Sequence, residues 1–256
     1  MCSRLKRDQP GGGPVRLDVD ITNKTFSSAA GETHDVLAPI KFSLQAGEVG
    51  VLIGPSGCGK TTMLRIILGL DSDFQGHILR PESARIGMVF QEPRLLPWRS
   101  VEQNVRLVAP DISDAKLSEL FKVLELDSHR RHFPGELSLG LARRVALARA
   151  FAVEPDLLVL DEPLASLDEA LAGRLRDQIT TLVESRLVMT LLVTHNLDDA
   201  VHLGDHLFFL SPRPARIITE LPIRIPRNAR GEAEIAVIKA GLVRRAQSSP
   251  TERNVS

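Results

Sequence analysis

The chain is poor in cysteine: two in 256 residues, at positions 2 and 58. Cys58 lies inside a glycine-rich stretch where a disulfide would be a hindrance, so the usage points to a reducing, cytoplasmic compartment. Charge of one sign is lacking as well. Lys plus Arg and Asp plus Glu stand at 32 each, which gives no electrostatic case for nucleic acid or an anionic membrane as partner. No stretch approaches the ~18 consecutive apolar residues of a membrane span. The start is charged (Arg4, Lys6, Arg7, Asp8) and runs into Gly11-Gly12-Gly13-Pro14 without an apolar segment, unlike a secretory signal. His202 and His206, and His129 and His132, are paired at helical spacing but have no third ligand nearby in sequence, so neither pair reads as a metal site. The expectation is a soluble chain whose dealings with a membrane, if any, go through another protein.

What is there begins at residue 54. Gly54-Pro55-Ser56-Gly57-Cys58-Gly59-Lys60-Thr61 fits the pattern G-x-x-x-x-G-K-[ST]. Val49, Val51, Leu52 and Ile53, broken only by Gly50, precede it as an apolar run of strand length, and Thr62 to Leu68 opens a helix-length segment. Strand, glycine loop and helix in that order make a phosphate site. The glycines let the backbone close around a phosphate so that successive N–H groups point inward, and the helix N-terminus adds the positive end of its dipole. Lys60 supplies a mobile ammonium for the β- and γ-phosphates. The Thr61 hydroxyl is placed to ligate Mg²⁺, and Thr62 joins the nucleotide-binding set.

The rest of the chain supplies the frame for such a loop. Residues 1–14 read as a flexible tail. Arg16 to Ile21 and Ile40 to Leu44 alternate with period two, as half-buried strands do, and Phe26 falls in a polar, glycine-containing loop between them. Arg85 to Phe90 is a further strand. From about residue 92 to 141 strand signals vanish; Pro93, Pro97, Pro110 and Pro134 punctuate helical pieces such as Leu117-Leu120-Phe121-Leu124. This reads as a helical subdomain inserted into an α/β core. Helix, strand, helix, strand then alternate: Ser138 to Val153 (with arginines on one side), Leu157 to Leu160, Glu169 to Glu184, and Val188 to Val193. A short helix and two strands follow, ending near Glu220. The fold class is therefore α/β: a P-loop core with a mostly parallel sheet, an N-terminal antiparallel β subdomain and the helical insert. Residues 222–256 form a C-terminal extension, with a short amphipathic helix over Glu232 to Arg245 and a disordered end.

Leu157-Leu158-Val159-Leu160-Asp161-Glu162 places two carboxylates at the C-terminal end of a buried strand, where open α/β sheets bind ligands. Adjacent strand residues face opposite ways, so the two cannot share a task. Asp161 suits the Mg²⁺ shell, and Glu162 suits polarising a water for attack on the γ-phosphate.

With these motifs in order, about residues 15–221 resemble the nucleotide-binding subunits of ABC transporters. The resemblance implies further site residues. Gln91, closing V-F-Q, matches the glutamine that reaches Mg²⁺ and the attacking water. Ser138 and Gly140 lie in the signature segment, which clamps the nucleotide of a second subunit. Ser166-Leu167-Asp168 matches the following loop that faces that subunit, and His195 in V-T-H-N matches the histidine that bonds the γ-phosphate. Phe26 stands where an aromatic stacks on adenine. The chain departs from the family at its signature, usually Leu-Ser-Gly-Gly-Gln and here Leu137-Ser138-Leu139-Gly140-Leu141. If position 139 required φ > 0, Leu139 would carry strain on the order of 1–2 kcal/mol.

Gln91 to Val105, with its Leu95-Leu96-Pro97-Trp98 core, and Ser211-Pro212-Arg213-Pro214-Ala215-Arg216-Ile217 are similar to the nitrate/sulfonate/taurine importers within that family. Trp98 is expected both to pack within the helical subdomain and to border the groove that receives a permease. The resemblance implies an ATPase that powers solute import and works with ATP and Mg²⁺. Its implied partners are integral membrane permease subunits, a solute-binding protein and a second nucleotide-binding subunit, as a homodimer or with a paired, non-identical partner, with no nucleic acid. Its implied place is cytoplasmic, on the inner face of the membrane through the permease. Two rivals remain: a soluble ABC-type ATPase uncoupled from transport, and a low-turnover nucleotide-binding regulator.

Overall fold

The structure is a computed structural model that describes residues 16–27, 32–81 and 83–248, with side chains to Gly241. In chain order come β1 (Arg16–Ser27), β2 (Thr33–Leu37), β3 (Ile40–Gln45), β4 (Val49–Ile53), α1 (Lys60–Ile67), β5 (Gln75–Leu79) and β6 (Ile86–Val89). Next are α2 (Val101–Arg106), α3 (Asp114–Val123), α4 (Leu139–Ala152), β7 (Leu157–Asp161), α5 (Glu169–Arg186) and β8 (Met189–Thr194). The chain continues through α6 (Leu197–Leu203), β9 (His206–Leu210), β10 (Ile217–Pro222) and α7 (Glu232–Ser248). The expected tail, 1–14, and the end beyond residue 248 lie outside the described residues.

Two sheets form. Around β1, strands β2, β3 and β5 all pair antiparallel. The second sheet runs β10-β9-β4-β8-β7-β6, parallel throughout except for the β9–β10 edge. Period two decides where each side chain goes. Leu17, Val19 and Ile21 on β1 and Ile40, Phe42 and Leu44 on β3 are buried, and they pack with Met63, Leu64, Ile66 and Ile67 of α1. Leu157 and Val159 of β7 face this side, while Leu158 and Leu160 face the other, against α4 and α5. Each such buried leucine or valine contributes roughly 1.5–3 kcal/mol. A strand covered on both faces has little room for polar side chains, which is why β7 opens as the apolar run Leu157 to Leu160 and why β8 is apolar but for two buried threonines, Thr190 and Thr194.

Between β6 and β7 the described elements are helical, and Leu117, Leu120, Phe121 and Leu124 are buried on the face their spacing predicts. Trp98 departs from expectation: it is 71% exposed and does not pack. Its loop is held by a polar clasp instead. The buried Asn104 amide donates to the carbonyls of Leu96, Arg99 and Ser100 and accepts from the Leu96 N–H at 2.8 Å.

Three helices near the strand ends are capped by their own sequence, as short polar residues favour. Ser138 accepts from the Leu141 N–H at 3.3 Å, Asp168 from Leu171 at 2.9 Å and Asn196 from Asp198 at 2.8 Å. Leu139 is the first residue of α4 and is not among the residues with positive φ, so the strain considered for it does not arise. After β10 the chain returns to the core. Arg230 donates to the carbonyls of Val201, Gly204 and Ile225, and Arg227 reaches Asp205 and the Gly47 carbonyl.

Candidate functional site

Four parallel strands end nearly level. Ile53 pairs with Thr194, Val193 with Asp161, and Leu160 with Val89. The chain leaving each strand therefore emerges at one edge: Gly54 after β4, Gln91 after β6, Glu162 after β7 and His195 after β8. Register alone brings together residues that are more than 100 positions apart, at the edge where such sheets bind ligands.

The glycine loop runs from β4 into α1. Gly57 and Gly59 have φ of 75° and 126°, a region that favours glycine. A Cβ on Gly59 would stand 2.9 Å from Leu37 Cδ2 and 3.2 Å from the Val36 carbonyl oxygen. Val36 is in turn tied to the β9–β10 turn, since it accepts from the Ala215 N–H at 2.9 Å. The buried Lys60 ammonium donates to the carbonyls of Gly54 at 2.7 Å and Pro55 at 3.0 Å. A phosphate has to compete with those neutral acceptors, and its charge favours it.

A cleft of about 230 Å³ opens beside the loop, lined by Ser56, Gly57, Gly59, Lys60, Thr61, Thr62, Gln91, Asp161, Glu162 and Arg213. Burial pushes the Asp161 carboxyl up from its ordinary range and the nearby Glu162 charge adds to this, while Lys60 and Arg94 pull it down. Glu162 has φ of 46°, its N–H donates to Val193 at 2.9 Å, and its carboxylate lies 2.8 Å from His195 Nδ1. The carboxylate is largely sheltered, while the histidine is more than half exposed. Thr61, Gln91 and Asp161 offer hydroxyl, amide and carboxylate oxygens to the same cleft. That donor set fits Mg²⁺, which takes oxygen ligands, one or two of them carboxylates, together with substrate phosphates and water. Among the described residues there is no group of three His, Cys, Asp or Glu able to hold a metal ion.

Not every expected residue lines this cleft. Phe26 belongs to β1, paired with His34 of β2, rather than to a loop. The antiparallel β2 continues the ladder past Ile21 where the polar sequence signals a turn. The Phe26 ring is 47% exposed, with the Lys24 ammonium 4.7 Å from its centroid. Cys58 is in the loop, but its thiol is buried in the core beneath it. Ser138, Gly140 and Asp168 do not line the cleft and lie at the starts of α4 and α5. The Ser138 hydroxyl caps its own helix. Gly140 accommodates a neighbour, since a Cβ there would stand 2.4 Å from Leu171 Cδ2.

Two arginines near the site were not predicted. Arg213 reaches the cleft from the turn after β9; the Ser-Pro-Arg-Pro stretch was conspicuous, yet nothing local says what it faces. Arg143 is buried in α4 and donates to the backbone after β7. Its only signal was a pair of arginines interrupting an apolar helix.

The sequence profile described as ABC transporter matches residues 37–165. The aliphatic sulfonates import ATP-binding protein SsuB 2 of Burkholderia lata is 38% identical over 89% of this chain and 85% of its own length. Its namesake in Pseudomonas syringae pv. tomato is 40% identical over 84% of this chain and 91% of its own. Among solved structures, the dimeric post-hydrolysis state of the ATP-binding cassette MJ0796 bound to ADP and Pi superposes with a TM-score of 0.70 and 27% identity. That match covers 81% of this chain and 99% of the cassette. With more than a third of its residues identical over nearly the whole length of such relatives, the chain belongs to the ABC transporter family of ATP-binding subunits.

Proposed function

We propose that this chain is the ATP-hydrolysing subunit of an importer, driving a separate membrane permease, and that the cleft at the strand ends is its catalytic site. The observation that carries the catalytic reading is the 2.8 Å contact of His195 with Glu162 at the rim of a phosphate-binding loop. Import is supported by the relatives, whose names describe import subunits. No helix among the described residues is long and apolar enough to cross a membrane, so the reading assigns the spanning parts to permease subunits. A solute-binding protein and a place on the inner membrane face belong to the same proposal.

In this reading the loop N–H groups and Lys60 hold the β- and γ-phosphates, and Lys60 exchanges its contacts with Gly54 and Pro55 for phosphate oxygens. Thr61, Gln91 and Asp161 would hold Mg²⁺, which supplies positive charge to the phosphate oxygens when bound. Glu162 accepts a hydrogen bond from the attacking water, and His195 orients that carboxylate and bonds the γ-phosphate. The protein contributes positioning and charge, not a covalent intermediate. Ser138 and Gly140 of one copy would close over the nucleotide of the other; Ser138 and Leu139 are exposed there, while Gly140 is buried behind them against Leu171. A regulator with little turnover is disfavoured, because the carboxylate–histidine pair and the lysine are all in place.

The test is the solution mass of the Glu162→Gln variant with and without MgATP, by light scattering after size exclusion. ATP-dependent conversion of monomer to dimer supports the paired motor. A variant that binds ATP yet stays monomeric even with the permease would overturn the homodimer, and failure to bind ATP would sink the whole reading.

A further inference from the structure

The turn between β7 and α5 has a backbone that needs outside support. It carries two non-glycine residues in the left-handed region, Glu162 at φ 46° and Ser166 at φ 64°. Each costs roughly 1 kcal/mol or more and persists only where the surroundings fix it. Between them the carbonyls of Glu162, Pro163 and Ala165 all point to one side chain. Arg143 Nη1 donates to Glu162 at 3.1 Å and Pro163 at 2.7 Å, and Nη2 donates to Ala165 at 2.7 Å.

Arg143 is only 4% exposed. Burial lowers the pKa of its guanidinium, and the nearby Glu162 charge offsets that only in part. A rigid planar fork that reaches three carbonyls at once is something lysine cannot imitate. Arg143 also lies three residues from Gly140, on the face of α4 where Leu171 of α5 comes close. One end of the fork's helix begins at Ser138; the other side of the fork is the catalytic turn.

We propose that Arg143 is a positioning residue for ATP hydrolysis: it fixes the left-handed turn that aims the Glu162 carboxylate, and it ties that turn to the Ser138 end of α4. The inference rests on the reading of Glu162 as the group that polarises the attacking water. Arg143 itself touches neither nucleotide nor water. It acts through the backbone of residues 162–165, so that movement of the α4 start against a second subunit is passed to the carboxylate in the same chain.

The experiment compares steady-state ATPase, fluorescent-nucleotide binding and thermal melting for Arg143→Gln, Arg143→Lys and the control Arg144→Gln. Arg144 is as buried and sits on the same helix, but it pairs with Glu125 and has no bond to the turn. Loss of aim by a fraction of an ångström is felt in the chemical step. Both Arg143 variants are therefore expected to lose kcat by about tenfold or more, with the KM for ATP and nucleotide binding within about twofold. Arg144→Gln is expected to lower the melting temperature without that loss of kcat. If Arg143→Gln fails to fold, Arg143→Lys carries the comparison, since it keeps the charge and most of the volume. Unchanged kcat in a folded Arg143 variant overturns the proposal, as does an equal loss of kcat in Arg144→Gln. Wild-type rates in Glu162→Gln would instead overturn the reading of Glu162, which separates the two failures.

Discussion

Nδ1 of His195 lies 2.8 Å from a carboxylate oxygen of Glu162, across two strands whose register pairs Asp161 with Val193. The two residues are held by different strand ends and meet only because the strands run parallel and level. Glu162→Gln keeps the shape and removes the basic oxygen. The expected outcome is a fall in kcat of about 10²-fold or more, the usual contribution of a positioned base, with ATP affinity retained. His195→Ala is expected to lower kcat by about tenfold or more for the same geometric reason. Phosphate release at saturating MgATP, with nucleotide binding measured separately, checks both.

Gly140 and Leu171 make the second prediction. An alanine Cβ at 140 would stand 2.4 Å from Leu171 Cδ2, so the leucine has to swing away from α4. Overpacking of this kind costs about 1–3 kcal/mol. Gly140→Ala is expected to fall at the low end, because the obstacle is the tip of a flexible side chain. Leu171→Ala in the same chain is expected to remove most of the clash, leaving a coupling of about 0.5–1 kcal/mol. Denaturant unfolding of the two single variants and the double variant measures it. Simple additivity would mean that position 140 and Leu171 do not meet as the structure places them.

Local sequence revealed the elements that carry their own signal. The glycine loop with its flanking strand and helix, the buried run of β7 and the start of α4 after Ser138 lie where periodicity and caps place them. Strands β2 and β5 were not legible. Three of five residues are exposed in β2 and four of five in β5, so neither alternates cleanly. They are strands because β1 offers them a ladder, and that is tertiary information. The same limit applies within the site. Gln91, Asp161, Glu162 and His195 could be named from motifs, but that Arg143 turns inward to three carbonyls, or that Arg213 reaches the cleft, depends on neighbours distant in sequence.

Cys58 shows the difference between a position in the loop and access to it. From the motif alone, alkylation of this thiol is expected to block nucleotide binding, with MgATP protecting. Its thiol is 2% exposed and sits in the core under the loop. A thiol reagent is therefore expected to react slowly with the folded protein whether or not nucleotide is present, and rapidly once denaturant is added. Fast reaction in the native state that MgATP suppresses would place the thiol on the phosphate side instead.

Leu139 yields a negative prediction. It occupies the first turn of α4 in ordinary helical backbone, with 45% of its surface exposed. Leu139→Gly relieves no strain in the isolated chain and is expected to cost about 0.5–1 kcal/mol, as glycine does in a helix. Any gain in ATPase from this variant has to come from the contact with a second subunit. It is therefore expected to appear with increasing protein concentration and to vanish in dilute solution, which a titration of specific activity against concentration would read.

Asp161 pits stability against function. Burial and the neighbouring Glu162 charge raise its carboxyl above the ordinary range, with Lys60 and Arg94 compensating only in part. A carboxyl whose pKa is higher folded than unfolded binds its proton more tightly in the folded state. Its contribution to stability is complete below the unfolded pKa and is lost as the pH rises through the folded one. At neutral pH the ionised group is thus a burden on the nucleotide-free protein. Asp161→Asn is expected to raise the melting temperature at pH 7, and the gain should shrink as the pH falls through the interval between the two pKa values. The same variant is expected to lose Mg²⁺-dependent hydrolysis by about 10²-fold or more, since the amide keeps one oxygen but not the negative charge that would hold the cation. A melting temperature that drops at pH 7 would mean that Lys60 and Arg94 outweigh burial, and that the carboxylate is part of what holds the empty cleft together.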